Sequence, residues 1–242
     1  MIGTISGGGS GQEPVDIGAP DDSRESSSVH RPIVAFDFDG TLTTRDSFTA
    51  FLHWKVGAAR YVAGLLNLTP ELARYLATRD RGRLKAAAAR KFLGRASRDQ
   101  IESDARLFAE THARSLLRPD AMKVWKYWRG RNARLVIVTA SPVEVVAPFA
   151  RGIGADLLLG SKLAFDDQDR FTGRLDGENC RGAEKVRRLY EAFGSDMRLE
   201  AAYGDTDGDR AMLAIAEDAG YRVFSAKPTG PGRERKRPRR AR

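Results

Sequence analysis

Two kinds of hydrophobic pattern divide this chain. Short, wholly apolar runs read as strands buried on both faces, of which Ile33 to Phe36 is the first. Similar runs at 134–138, 156–159, 199–203 and 221–225 predict four more strands. Between them, the pattern recurs every three or four positions, as in Phe48, Phe51, Leu52 and Lys55, then Leu84, Ala88 and Phe92, then Ile101, Leu107 and Phe108. That spacing predicts helices. Pro70, Gly82 and Gly94 punctuate 45–118 into roughly four of them, with Ser97 and Asp99 as candidate caps of the last.

Further helices are expected at 120–129, opened by Pro119 and turning Trp125 and Trp128 toward the sheet, and at 143–151, where Pro142 stands at the start. Another covers 181–193 with Val186, Leu189 and Tyr190 on one face, and a last one covers 209–219. The runs at 162–175, around Asp166, Asp167, Gln168 and Asp169, read as a hairpin. Strands alternating with helices give an α/β fold with a mainly parallel sheet and right-handed crossovers. The expected organisation is a disordered leader at 1–30, a core formed by 31–44 and 119–226, a helical insertion at 45–118 and a basic disordered tail at 227–242.

Charge is distributed unevenly. The whole chain carries +9, of which the tail holds +7 and the segment from Arg45 to Arg118 holds +8, while residues 1–30 hold −4. No apolar run reaches the roughly 18 residues that span a bilayer. One cysteine, Cys180, excludes a disulfide partner within the chain and fits a reducing compartment. The opening residues lack the basic start and apolar core of a secretory signal, so a cytoplasmic location is expected. The basic insertion and tail would suit the inner face of an anionic membrane surface.

The chemistry concentrates where strands end. Asp37 follows the first strand, and an extended chain places Asp39 on the same side. Two carboxylates so close favour a hard cation between them or a shared proton. Thr139 and Asp205 likewise follow apolar runs, and ligands of parallel sheets bind at the carboxyl ends of strands.

The run DFDGTLT at 37–43 resembles the first motif of the haloacid dehalogenase superfamily, DxDGT, and three further stretches resemble that family's other motifs in order. VTASP supplies Thr139, Ala140 and Ser141, GAEKVRRL supplies Lys185, and YGDTDGDRAML supplies Asp205 and Asp209. The resemblance implies a Rossmann-like core with a helical cap inserted after motif one, as in the phosphoserine-phosphatase-like branch. It implies a phosphatase with Asp37 as nucleophile and Asp39 as general acid and base. Mg2+ would be held by Asp37, the main-chain carbonyl of Asp39 and Asp205, with Asp209 orienting the site. Thr139, Ala140, Ser141 and Lys185 would bind the phosphoryl group, and in the cap Asp46 and Lys85 would face the substrate.

Two departures bear on the substrate. Asp46 stands where phosphoserine phosphatases carry a glutamate, and Gly208 with Asp209 stands in place of their Asn-Asp pair. VTASP and NCRGAEKV are similar to bacterial lipid phosphatases of the phosphatidylglycerophosphatase C type. The expected substrate is therefore a small organic phosphate or a lipid phosphate, with phosphoserine as the alternative. From another class, the basic tail suggests a nucleic-acid or membrane-surface binding protein. The tail lacks interleaved aromatics, which argues against sequence-specific nucleic-acid recognition.

Overall fold

The computed structural model describes residues 31–66 and 81–228, without the side chains of 81–85. The expected leader, residues 67–80 of the insertion, the tail from 229 onward and the Lys85 side chain lie outside the described residues.

Among the described residues, six strands form one sheet: β1 (Ile33–Phe36), β2 (Arg134–Pro142), β3 (Leu157–Phe165), β4 (Phe171–Asp176), β5 (Leu199–Gly204) and β6 (Ala216–Tyr221), in the order β4-β3-β2-β1-β5-β6. All neighbours are parallel except β3 and β4, which form the expected antiparallel hairpin. β1 is central because it is apolar on both sides. Val34, Phe36, Leu135, Ile137, Ala201 and Tyr203 belong to one buried cluster, and Ala35, Val136, Val138, Leu159 and Ala202 belong to a second. This period-2 division is what a sheet covered on both faces requires.

The helices are α1 (Ser47–Val56), α2 (Ala58–Leu66), α3 (Arg81–Leu93), α4 (Arg98–Leu116), α5 (Pro119–Gly130), α6 (Val143–Gly152), α7 (Ala183–Phe193) and the short α8 (Arg210–Ala214). Asp46 caps α1 by accepting from Thr49 N at 2.8 Å, and Ser97 caps α4 through Gln100 N at 3.3 Å. The first cluster takes in α1, α3, α4, α5 and α6, so helical insertion and sheet share one apolar interior. A chain of rings passes between them, with Phe38–Phe149 centroids at 5.6 Å, Phe149–Phe108 at 5.8 Å and Phe108–Phe51 at 5.7 Å. Trp125 packs on Phe36 at 5.0 Å, and Trp128 donates to the Tyr203 hydroxyl at 3.0 Å. Among the described residues, no helix is long and apolar enough to cross a membrane.

Four local expectations need correction. The final helix stops at Ala214, and the last strand is Ala216–Tyr221 instead of 221–225. As an edge strand it bonds to β5 alone and exposes Glu217 and Asp218, so no apolar run marks it. β3 continues to Phe165 and is itself the first arm of the hairpin. On α7 the buried residues are Lys185, Arg188 and Leu189, while Tyr190 is exposed, because the helix turns two cations inward.

Candidate active site

Asp37 leaves β1 in an extended conformation and donates its N–H to the Tyr203 carbonyl at 2.8 Å, which fixes it between the ends of β2 and β5. The chain then closes a tight loop through Gly40, whose φ of +85° is the left-handed region. A Cβ at Gly40 would also stand 2.8 Å from Cγ of Asp205. Glycine therefore lets the two acidic loops approach, and Thr41 Oγ1 joins them by donating to Asp205 Oδ1 at 3.3 Å.

Lys185 enters from α7 and is 1 % exposed. Its Nζ lies 2.6 Å from Asp37 Oδ1, 2.7 Å from Asp209 Oδ1 and 2.6 Å from the Val138 carbonyl. An ammonium has three protons to donate, so this cation is saturated. The other oxygen of Asp209 accepts from Asp205 N at 3.2 Å and from Thr206 N and Oγ1 at 2.8 Å each. Asp209 thus holds both the lysine and the loop that carries Asp205.

Asp39 faces elsewhere. Its Oδ1 accepts from Ser47 N at 2.7 Å, and its Oδ2 accepts a short bond from the Ser141 hydroxyl. Thr139 is fully buried at the point where β2 leaves its register with β3, and its hydroxyl accepts from Ser141 N at 3.1 Å. Ala140 lies between them. Asp46 is at the N-terminus of α1, where its carboxylate serves as the cap. Two groups went unnoticed in the sequence. Arg118 donates Nε toward the carbonyls of Gly40 and Thr43, each at 3.1 Å, and braces the Asp39 loop. Ser47 orients Asp39 through its backbone, which no side-chain pattern could announce.

Burial raises the Asp37 carboxyl to about 7 against the opposing pull of Lys185, with Asp209 and Asp39 adding to the rise. Burial also raises Asp205. For Lys185 burial opposes the charge, but Asp37 and Asp209 outweigh it and hold the ammonium protonated. Burial likewise disfavours the Asp209 charge, and Lys185 with the Thr206 donors reverses this and lowers its pKa. Asp37, Asp205 and Asp209 offer oxygens within 4.8 Å of one another. Three carboxylates beside one lysine leave negative charge in a largely buried site, and the donors are all oxygen. Such a set fits a hard divalent cation. Cys180 is fully buried and its thiol is raised to about 11 by burial, so it is chemically quiet.

Residues 34–214 match the family model described as haloacid dehalogenase-like hydrolase. The chain belongs to that family. It is 61% identical to Protein CicA of Caulobacter vibrioides over 200 residues, covering 82% of this chain and 90% of the relative. A solved structure of a protein with unknown function from Bordetella pertussis Tohama I superposes with a TM-score of 0.64 at 24% identity, covering 76% of this chain and 86% of that one. A phosphoserine phosphatase solved as a phospho-aspartyl intermediate analogue superposes at 0.53 with 18% identity, over 78% and 85% of the two chains. The fold is thus that of the haloacid dehalogenase-like hydrolases, with phosphoserine phosphatases among its structural neighbours.

Proposed function

We propose that the protein is a Mg2+-dependent phosphomonoesterase that works through a phosphorylated Asp37. The observation that carries this reading is the division of labour between two nearby carboxylates. Asp37 is bonded to Lys185, while Asp39 is held apart by Ser47 N and the Ser141 hydroxyl. One lies against a fixed cation that favours its anion, and the other, held by two donors away from that cation, is assigned the proton transfer.

In this reading an Asp37 oxygen attacks phosphorus as the bond from phosphorus to the substrate oxygen breaks, and Asp39 gives that oxygen its proton. Asp39 then takes a proton from water as the water oxygen attacks phosphorus, the bond to Asp37 breaks and phosphate leaves. Asp37, Asp205 and the Asp39 main-chain carbonyl would hold Mg2+, since both oxygens of Asp209 are committed to Lys185 and to residues 205–206. When bound, the metal supplies neutralising charge to the phosphoryl oxygens. Thr139 keeps its own hydroxyl proton for a phosphoryl oxygen while accepting from Ser141 N. The amide of Ala140 completes that cradle, while the Ser141 amide is given to Thr139 and Lys185, its three protons already placed, holds Asp37 in position.

The substrate is a phosphorylated small molecule or a lipid phosphate such as phosphatidylglycerophosphate. The +7 tail and the basic insertion favour an anionic surface as the place of work. Because Asp46 caps α1, we assign it to the fold rather than to phosphoserine recognition. The test is Asp37→Asn with an aryl phosphate in Mg2+. Turnover should vanish while the far-ultraviolet dichroism is unchanged, and a variant with wild-type turnover would refute the reading.

A further inference from the structure

Beside the catalytic loops lies a cavity of about 40 Å³ that the proposed chemistry does not use. One wall is Phe48 with Ala86 and Ala89 of the helical insertion, a second is Ala140 and Pro142, and the third is Leu163, Phe171 and Leu175 of the β3–β4 hairpin. It adjoins the two segments that hold Asp39. Phe48 follows Ser47, which donates to Asp39 Oδ1, and Ala140 and Pro142 flank Ser141, which donates to Asp39 Oδ2. In the phosphatase reading, the oxygen that Asp39 protonates departs on the side where Phe48 and Ala140 line this cavity.

The lining is chemically one-sided. Phe48, Ala89, Leu163 and Phe171 are buried, and among the described residues no acidic side chain lines the cavity. The polar members are Arg174, which is exposed at the rim, and Asn179, whose Oδ1 accepts from Ser161 Oγ at 3.0 Å. A leaving group carrying an ammonium would lose its hydration here and meet no anion to replace it. An apolar chain would lose nothing by entering. Since one water needs about 10–15 Å³ of such space, the cavity takes about three heavy atoms.

From this we infer that the physiological leaving group is an aliphatic alcohol whose first few atoms beyond the ester oxygen are apolar, selected by Phe48, Ala86, Ala89, Leu163, Phe171 and Leu175. The inference rests on the phosphatase reading above and narrows it to alkyl phosphomonoesters, away from phosphatidylglycerophosphate, whose leaving glycerol carries a hydroxyl on its second carbon. It sets the chain apart in preference from enzymes acting on phosphoserine, whose leaving group bears both charges of an amino acid.

The experiment compares kcat/KM for methyl, ethyl and propyl phosphate with O-phosphoserine, using p-nitrophenyl phosphate as the control for catalysis. The three alkyl esters have similar leaving-group basicity, so differences report the pocket. A rise of about threefold per methylene is expected up to propyl, with O-phosphoserine at least about tenfold below propyl phosphate. Ala86→Leu, which fills the cavity, should bring the propyl-to-methyl ratio close to one. A flat alkyl series, absent alkyl turnover, or O-phosphoserine faster than propyl phosphate would overturn the inference while p-nitrophenyl phosphate turnover kept the phosphatase reading intact. If p-nitrophenyl phosphate is not hydrolysed either, both fall together.

Discussion

Lys185 is the residue on which the charge of the site balances, because three acceptors between 2.6 and 2.7 Å take up its three protons and two of them are carboxylates. Replacing it by Met leaves two buried anions facing one another. We expect a loss of about 3 kcal/mol of stability and near-complete loss of turnover, measured by denaturant titration and phosphate release. Glu144 is a second buried carboxyl, accepting from Leu163 N at 3.0 Å, with Oε2 unpartnered. Burial raises it from 4.5 to about 7, so between those pH values the folded chain keeps a proton that the unfolded chain has lost. Its contribution to stability therefore falls as pH rises through that window and is level above it, by up to about 3 kcal/mol. Glu144→Gln should gain stability relative to wild type from pH 5 to 7, and parallel pH profiles for the two proteins would contradict this. In the sequence, Lys185 was visible only through its resemblance to a family motif, since a lysine beside two arginines on a helix looks solvated. Arg118 was invisible for the same reason.

At the scale of elements, what mattered was how loops leave strands. The apolar run of β1 and the glycine after it made that strand and its turn legible, because burial on both faces and a left-handed φ each demand particular residues. β6 was not legible, because an edge strand with one partner demands little of its side chains. Gly40→Ala should disturb both the turn and the approach of Asp205, lowering turnover at least about a hundredfold, since strain of 1–3 kcal/mol adds to a displaced ligand. Asp46→Ala tests whether the start of α1 is structural. We expect a loss of about 1 kcal/mol with KM unchanged, and a large rise in KM without loss of stability would return Asp46 to the substrate.

For the whole molecule, the sheet order places β1 between β2 and β5, with Phe36 paired to Ile137 on one side and Tyr203 on the other. Asp37 and Asp205 follow β1 and β5 and Thr139 lies toward the end of β2, so the strand order brings them to one edge of the sheet; sequence alternation put each at the end of an apolar run without setting which strands are neighbours. How the helical insertion meets the hairpin was not anticipated, since a shared apolar interior and a small cavity between distant segments leave no periodic trace. The central claim concerns one bond. Wild-type protein mixed with an aryl phosphate and Mg2+, quenched in acid within a turnover and digested, should yield a peptide spanning β1 that carries one phosphoryl group on Asp37. Turnover that proceeds with no covalent phosphoryl group, or with the group on any other side chain, would contradict the account.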